Sequence, residues 1–482
     1  MRIRKRVSLV TLFSFIMAMS SLLVNPYYAS TNQDDIIAKS YTKTQTAFDS
    51  NTCMIEGDNS TNSLNCANIN PQTLGERNFV DVDNSQSSAI EQKDEQGAPG
   101  PPGPPGPQGE KDLVHVVWED HSMMTSEIEY KRDGAGFDPT TLNLSNDEGV
   151  SERSAIAVSG QNVYVVWADI APSPTFDQEI FYKKSTDGGA TFSPTENISN
   201  DPGLSQFPAI AVSGQNVYIV WENGPGIDQS GSREIFYKKS TNGGDTFEST
   251  QNISNNDGTS RRPEIASSGN NVYVVWEDTS PGNRDIFYRK SADGGAIFGD
   301  IINLSDNVGR SDLPAIAVSG NNVYVVWDDS TPGNEEIFYK RSSDGGAIFG
   351  ITLNLSNNEQ ESASPAIAAS ANNVYVVWKD ELPPFDPFGN AEIFYRRSTD
   401  SGALFGPIEN LSNNKGGSSV PSIAAFENNV HLVWADNSSG NSEILYSIST
   451  NNGATFSSVL TNISNNNGNS NIPDIAVSNP VQ

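Results

Sequence analysis

All seven tryptophans of the chain, Trp118, Trp167, Trp221, Trp276, Trp327, Trp378 and Trp434, fall in one recurring motif, at spacings of 49, 54, 55, 51, 51 and 56 residues. From about residue 112 to its end the chain is therefore an array of one unit, and a unit that cannot bury its apolar faces alone must stack on its copies. The copy at 314–356 reads PAIAVSGNNVYVVWDDSTPGNEEIFYKRSSDGGAIFGITLNLS. Four β-rich runs lie between clusters of Gly, Asn, Asp and Pro. PAIAVS is short and built of small residues, as a strand near a narrowing axis needs. NVYVVW mixes β-branched and aromatic residues, which suits a strand covered on both faces. EIFYKRS alternates like a more exposed third strand, and AIFGITLNLS supplies an outer fourth, reached through an Asp-Gly or Asn-Gly hairpin turn.

The ends of the array are complementary. The first unit opens directly at its second run, 113–118, whereas the chain finishes with an extra first run at 473–478. If that last strand completes the first blade, each strand occurs seven times and the ring has no open edge. The predicted fold is all-β, a seven-bladed β-propeller of four-stranded blades over residues 112–482. An open β-solenoid is the alternative, with shorter repeats and capped ends.

Three segments precede the array. Residues 1–30 join a basic start (Arg2, Arg4, Lys5, Arg6) to an apolar run at 7–24, the layout of a signal peptide or of an uncleaved N-terminal anchor. Residues 31–96 are polar and without apolar period, and read as a disordered stalk. Residues 97–111 hold five Gly-X-Y triplets, a collagen-like segment that acts as a polyproline II spacer or associates as a trimer. The predicted location is secreted or cell surface, with membrane contact only through an uncleaved N-terminus. Cys53 and Cys66, the only cysteines, lie outside the repeats, and their pairing stays open. Asp and Glu outnumber Lys and Arg 59 to 29, a net charge of -30, which argues against nucleic acid as a partner.

Between the third and fourth runs stands the pattern SxDxGxTF. It is complete at 185–192; 291–298, 342–349 and 398–405 depart mainly at the Thr, 240–247 and 449–456 carry Asn for Asp, and the first unit has a degenerate version around Asp133 and Gly134. The pattern resembles the Asp-box, or BNR repeat, of the sialidase-like superfamily. The resemblance implies a structural turn, so Asp187, Asp293, Asp344 and Asp400 are assigned to folding. Catalytic sialidases also carry three arginines that clamp the substrate carboxylate, an acidic proton donor and a tyrosine nucleophile paired with glutamate, on six blades rather than seven. The first arginine stands in an Arg-x-Pro motif at the start of an innermost strand. The matching positions here hold Glu152, Gln206, Arg261, Asp312, Ala363, Ser419 and Asn471, so Arg261 alone fits and is the one catalytic candidate. Arg153, Arg233, Arg284 and Arg310 fall in loops.

Two carboxylate series flank the loop after each second run. One follows the tryptophans by two residues (Asp120, Asp169, Asn223, Asp278, Asp329, Asp380, Asp436) and the other opens each third run (Glu127, Glu179, Glu234, Asp285, Glu336, Glu392, Glu443). Such a circlet suits Ca²⁺, with Asp120, Asp169, Asp278, Asp329, Asp380, Asp436, Glu179 and Glu336 as ligand candidates and no other cofactor required. A pair flanking a sugar would suit acid/base chemistry. Repetition in every blade equally suits a turn in which Asp accepts local hydrogen bonds. Specificity is expected where blades differ, in the loops 170–178, 224–233 and 381–391. Phe385, Phe388 and Arg233 in these loops, with Arg284 in another loop, are the ligand-binding candidates. Asn-Leu/Ile-Ser ends each outer run at Asn143, Asn197, Asn252, Asn303, Asn354, Asn410 and Asn462; with Asn59 and Asn437 these fit the N-glycosylation acceptor pattern, and in the repeats they also suit a turn. The reading is an exported, noncatalytic propeller that binds a glycan or an extracellular protein. The alternatives are a sialidase-like glycoside hydrolase and a structural component of the cell envelope.

Overall fold

The computed structural model describes residues 112–121, 125–134, 136–146, 149–170, 178–201, 203–225, 231–382 and 391–478. The signal, stalk and collagen-like readings, together with Cys53, Cys66, Asn59, Phe385 and Phe388, lie outside these residues.

The described chain forms seven four-stranded antiparallel sheets. Blade 1 runs from the inside outwards as Ser470–Ser478, Leu113–Asp120, Glu127–Asp133 and Leu142–Asn143, so the last strand closes the ring as the complementary ends predict. Blades 2 to 7 follow in chain order, beginning at the inner strands Ser151–Ser159, Leu204–Ser213, Ser260–Ser268, Ser311–Ser319, Ser362–Ser370 and Ser418–Phe426. Each inner strand neighbours the next, and Ser470–Ser478 lies between those of blades 7 and 2.

The core is seven clusters, each shared by two adjacent blades and each holding one tryptophan. Trp327 of blade 5 packs with Tyr273, Val275, Ile286 and Tyr288 of blade 4. Trp118 of blade 1 packs with Val433, Ala435 and Ile444 of blade 7 and seals the last joint. All seven indoles are at most 1% exposed. One wide ring per joint explains one tryptophan per repeat, and truncating one to alanine would cost about 3–5 kcal/mol.

Two elements differ from the sequence reading. The inner strands start three residues earlier than predicted, at Ser311 rather than Pro314 in blade 5, because a bulge between Asp312 and Ala315 breaks the side-chain alternation. In every blade one bulge residue has a left-handed backbone: Ile472, Arg153, Phe207, Arg262, Leu313, Ser364 and Val420, with φ between 47 and 57°. Branched residues adopt that conformation only under strain, so its sevenfold use marks a built feature of the inner ring. The outer strand is only two residues long, Leu353–Asn354 in blade 5, because the rest of its predicted run forms turns.

One of those turns is the Asp-box, and it stitches blades together. The Asp344 carboxylate accepts from Ser342 Oγ at 2.6 Å and from the backbone N–H groups of Ala347 and Ile348 at 3.0 Å. Gly346, at φ 80°, lies under Tyr288 of blade 4, where a Cβ would stand 2.0 Å from the phenol oxygen. The Tyr288 hydroxyl donates to Gly346 O at 3.0 Å, and Phe349 meets the Tyr288 ring edge-on at 4.9 Å.

Candidate functional site

The second strand's end, the third strand's start, the bulge and the turn after the outer strand meet at the blade end opposite the Asp-boxes. There the second-strand aspartate is a hydrogen-bond hub. Asp329 Oδ2 accepts from Trp327 Nε1 at 3.0 Å, Ser311 Oγ at 2.8 Å and Asn307 Nδ2 at 2.6 Å, and Oδ1 accepts from Thr331 N at 2.9 Å. Asp278, Asp380 and Asp436 repeat the indole, serine and amide contacts. Asp169 takes the indole and Ser151, while Asp120 takes Ser470 and Asn466.

The third-strand acids hold the turn after the outer strand. Glu336 accepts from Ser356 Oγ, Asn358 N and Asn334 Nδ2. Glu179 accepts from Ser199, and burial raises its carboxyl above the usual range. The predicted circlet is thus a set of separate hubs, each facing its own blade. Among the described residues no three His, Cys, Asp or Glu side chains group so as to hold a metal ion.

The same turn uses the predicted glycosylation residues. Asn354 Oδ1 accepts from Asn357 N at 2.9 Å, and Asn143, Asn197, Asn252, Asn303, Asn410 and Asn462 repeat that bond. Asn143, Asn197 and Asn252 are exposed; Asn303, Asn354, Asn410 and Asn462 are half-buried. Asn437 is exposed and accepts from Gly417 N at 2.7 Å.

What differs between blades gathers at the bulges. In blades 1, 3, 4 and 5 an acid after the tryptophan reaches the next blade: Glu119 accepts the backbone N–H of Arg153, Glu222 that of Arg262 at 3.2 Å and Glu277 that of Leu313 at 2.9 Å. The buried Asp328 takes that of Ser364. Blades 2, 6 and 7 have Ala168, Lys379 and Ala435 there instead.

On these anchors lies an arc of six arginines over blades 2 to 5. Arg153 stacks on Phe207 with its guanidinium carbon 3.8 Å from the ring centre, and Arg262 approaches the same ring at 5.3 Å. Arg262 also donates to Glu277 at 3.1 Å. Arg233 bonds Glu222 and, at 2.8 Å, Gln206; Arg261 Nε lies 3.9 Å from the same Glu222. Arg284 and Arg310 share Asp312, and Arg310 also bonds Glu335.

The carboxylates beneath are closed off, with Glu222 and Glu277 0% and Asp328 3% exposed. Burial raises the carboxyls of Glu277 and Glu335, and raises that of Asp328 further with help from the charges of Asp312, Glu335 and Glu277. Nε of Arg153 and Nε of Arg261 are buried and have no hydrogen-bond acceptor among the described residues.

Arg233, Arg261 and Arg284, picked out in the sequence, thus belong to one assembly. Phe207, Arg262 and the acids after the tryptophans were not singled out. Their signal was there, because the positions after the tryptophan and before the inner-strand proline vary between blades whose other positions repeat.

No protein-family model matches the chain, and no curated protein matches it in sequence. Among solved structures it is similar in shape to a Hadza microbial sialidase, at 11% identity over 65% of this chain and 71% of that one, with a TM-score of 0.42. It is also similar to an α-L-arabinofuranosidase from Fusarium graminearum in complex with an iminosugar inhibitor (13% identity, 62% and 92% covered, TM-score 0.45). A third is the Trypanosoma rangeli sialidase in complex with sialic acid (12% identity, 64% covered, TM-score 0.41), of whose length this chain spans 55%.

Proposed function

We propose that the propeller is a noncatalytic binding module and that the arginine arc of blades 2 to 5 is its ligand site, taking a carboxylate-bearing glycan. The observation that carries this is the pair of buried guanidinium N–H groups, on Arg153 and Arg261, that have no acceptor among the described residues. A buried donor left unpaired costs about 1–3 kcal/mol, and a ligand oxygen would recover it. The neighbouring arginines, already bonded to protein carboxylates, hold the arc rigid and so lower the entropy lost on binding. Hydrolysis is disfavoured because, of the arc's three acids with raised pKa, Asp328 and Glu277 are sealed beneath the arginines and the partly exposed Glu335 is bonded to Arg310, so that none of the three is free to protonate a glycosidic oxygen.

Calorimetry against glycan panels with and without carboxylates tests this. Arg153→Ala and Arg261→Ala should each weaken binding of the acidic glycans about tenfold, an effect of the size lost with one charge-assisted hydrogen bond. Masking the ligand carboxylate as an amide should abolish binding. Equal affinity for neutral glycans, or turnover of a fluorogenic sialoside that Arg261→Ala stops, would overturn the proposal.

A further inference from the structure

Two histidines are fully buried in the propeller, and both flank the seam where the ring closes. His115 of blade 1 and His431 of blade 7 stand where blades 2 to 6 place Tyr164, Tyr218, Tyr273, Tyr324 and Tyr375. In blades 2 to 6 the third-strand tyrosine donates to a glycine carbonyl of the next blade's Asp-box, as Tyr182 does to Gly244 at 3.2 Å and Tyr395 to Gly453 at 3.0 Å. At the seam blades the equivalent phenols meet imidazoles instead: Tyr130 is 2.8 Å from His115 Nδ1, and Tyr446 is 2.8 Å from His431 Nδ1. The other ring nitrogens reach residues at the two ends of the propeller chain. His115 Nε2 is 3.3 Å from Ser478 Oγ, at the end of the closing strand, and His431 Nε2 is 3.3 Å from Asp112 Oδ2, just before the strand Leu113–Asp120.

We propose that His115 is a proton-operated latch on the ring: neutral, it holds the closing strand Ser470–Ser478 to blade 1, and protonated it releases that strand.

The two histidines differ in what faces them. His431 has the Asp112 carboxylate, so a proton on the ring creates a salt bridge. Among the described residues His115 has none in contact. Its own strand's neighbour supplies Tyr130 and, directly opposite in register, the cation Arg132; the closing strand supplies Ser478. Asp138, bonded to Arg132, and Asp187 of the blade 2 box act on the Tyr130 side. Burial first, and Arg132 second, push the His115 imidazole down to about 3. A histidine with a folded pKa below its unfolded value near 6.5 contributes fully above that pH. The contribution is lost about tenfold per pH unit as the pH falls from there towards 3. Asp474 on the closing strand works in the opposite sense, since burial raises its carboxyl and protonation favours the docked strand. The contribution of His115 is isolated by substitution.

Hydrogen exchange on the full chain between pH 7 and pH 4, corrected for intrinsic rates, reads the opening of residues 470–478 against the equivalent strand of blade 4, Ser260–Ser268. His115→Tyr installs the residue of the five other blades. Relative to this variant, the wild-type closing strand should open about tenfold more for each pH unit below 6.5, with the two alike at pH 7. His431→Tyr should keep the acid-dependent opening. Identical pH dependence in wild type and His115→Tyr would overturn the latch. If that variant does not fold, NMR titration of the wild-type imidazoles decides: a His115 ring that stays neutral to pH 4 in the folded protein supports it, and one that titrates near 6.5 refutes it.

Discussion

The aspartate of an Asp-box works as an acceptor while standing in water. Asp187 receives Ser185 Oγ at 2.7 Å, Thr191 N at 2.9 Å and Thr191 Oγ1 at 2.6 Å, and these bonds hold its carboxyl well below the ordinary range. Because the folded pKa is the lower one, this contribution is complete above about pH 4 and is lost as the pH falls further. Blades 3 and 7 show what the turn requires. Asn242 and Asn451 keep the backbone bonds through Oδ1, while Nδ2 donates to Thr246 and Thr455 at 2.9 Å. The turn needs an acceptor oxygen and not a charge. Asp187→Asn should therefore unfold in urea within about 0.5 kcal/mol of the wild type, and Asp187→Ala about 1 kcal/mol or more below it. Equal losses for the two would give the charge a structural role.

At the scale of the element, the hub at the second-strand end of blades 1, 4, 5, 6 and 7 pairs an acid on the strand with an amide on the preceding turn. Blade 4 has Asp278 accepting from Asn256 Nδ2 at 2.6 Å. Blade 3 exchanges the partners, Asn223 Nδ2 donating to Asp201 at 2.7 and 2.8 Å, so the bond survives with donor and acceptor reversed. Asn223→Asp alone would set two carboxylates face to face at a half-buried site and should cost about 1–3 kcal/mol. Adding Asp201→Asn restores the arrangement of blade 4, and the double variant should recover most of the loss in a denaturation cycle. No recovery would refute the pairing. The hubs also show what the sequence makes legible. Trp-x-Asp and the Asn-x-Ser turn repeat within one unit and announce their position, as do the strands and the boxes. The arginine arc does not, because Glu222 bonds the backbone of Arg262 and Arg153 stacks on Phe207 across blade boundaries, between residues some 40 to 54 positions apart. The bulge that aims those residues is hidden as well, since it interrupts the alternation by which a strand is recognised.

The whole molecule depends on one non-local event. Six blades are each made from consecutive strands, whereas blade 1 needs Ser470–Ser478 to meet Leu113–Asp120. That strand serves two joints at once: Ile475 belongs to the cluster between blades 7 and 1, and Ala476 to the cluster between blades 1 and 2. Its loss would leave the edge of Leu113–Asp120 unpaired and open both clusters to water, the condition under which edge strands associate. Deleting residues 470–482 should abolish the cooperative unfolding transition followed by tryptophan fluorescence and give aggregates in gel filtration. The pairing Leu113↔Ser478 matches Asn322↔Ser319 of blade 5, which a two-residue turn connects. A circular permutant that joins Ser478 to Leu113 through Gly-Asn, the turn at Gly320 and Asn321, and opens the chain between blades 6 and 7 should therefore fold to the same ring. Its closing contact becomes a local hairpin, so it should refold faster than the native order, since contacts close in sequence form sooner. A deletion variant that remains a monomer with an undiminished transition would show that six complete blades suffice, and closure would then be a matter of the seam alone.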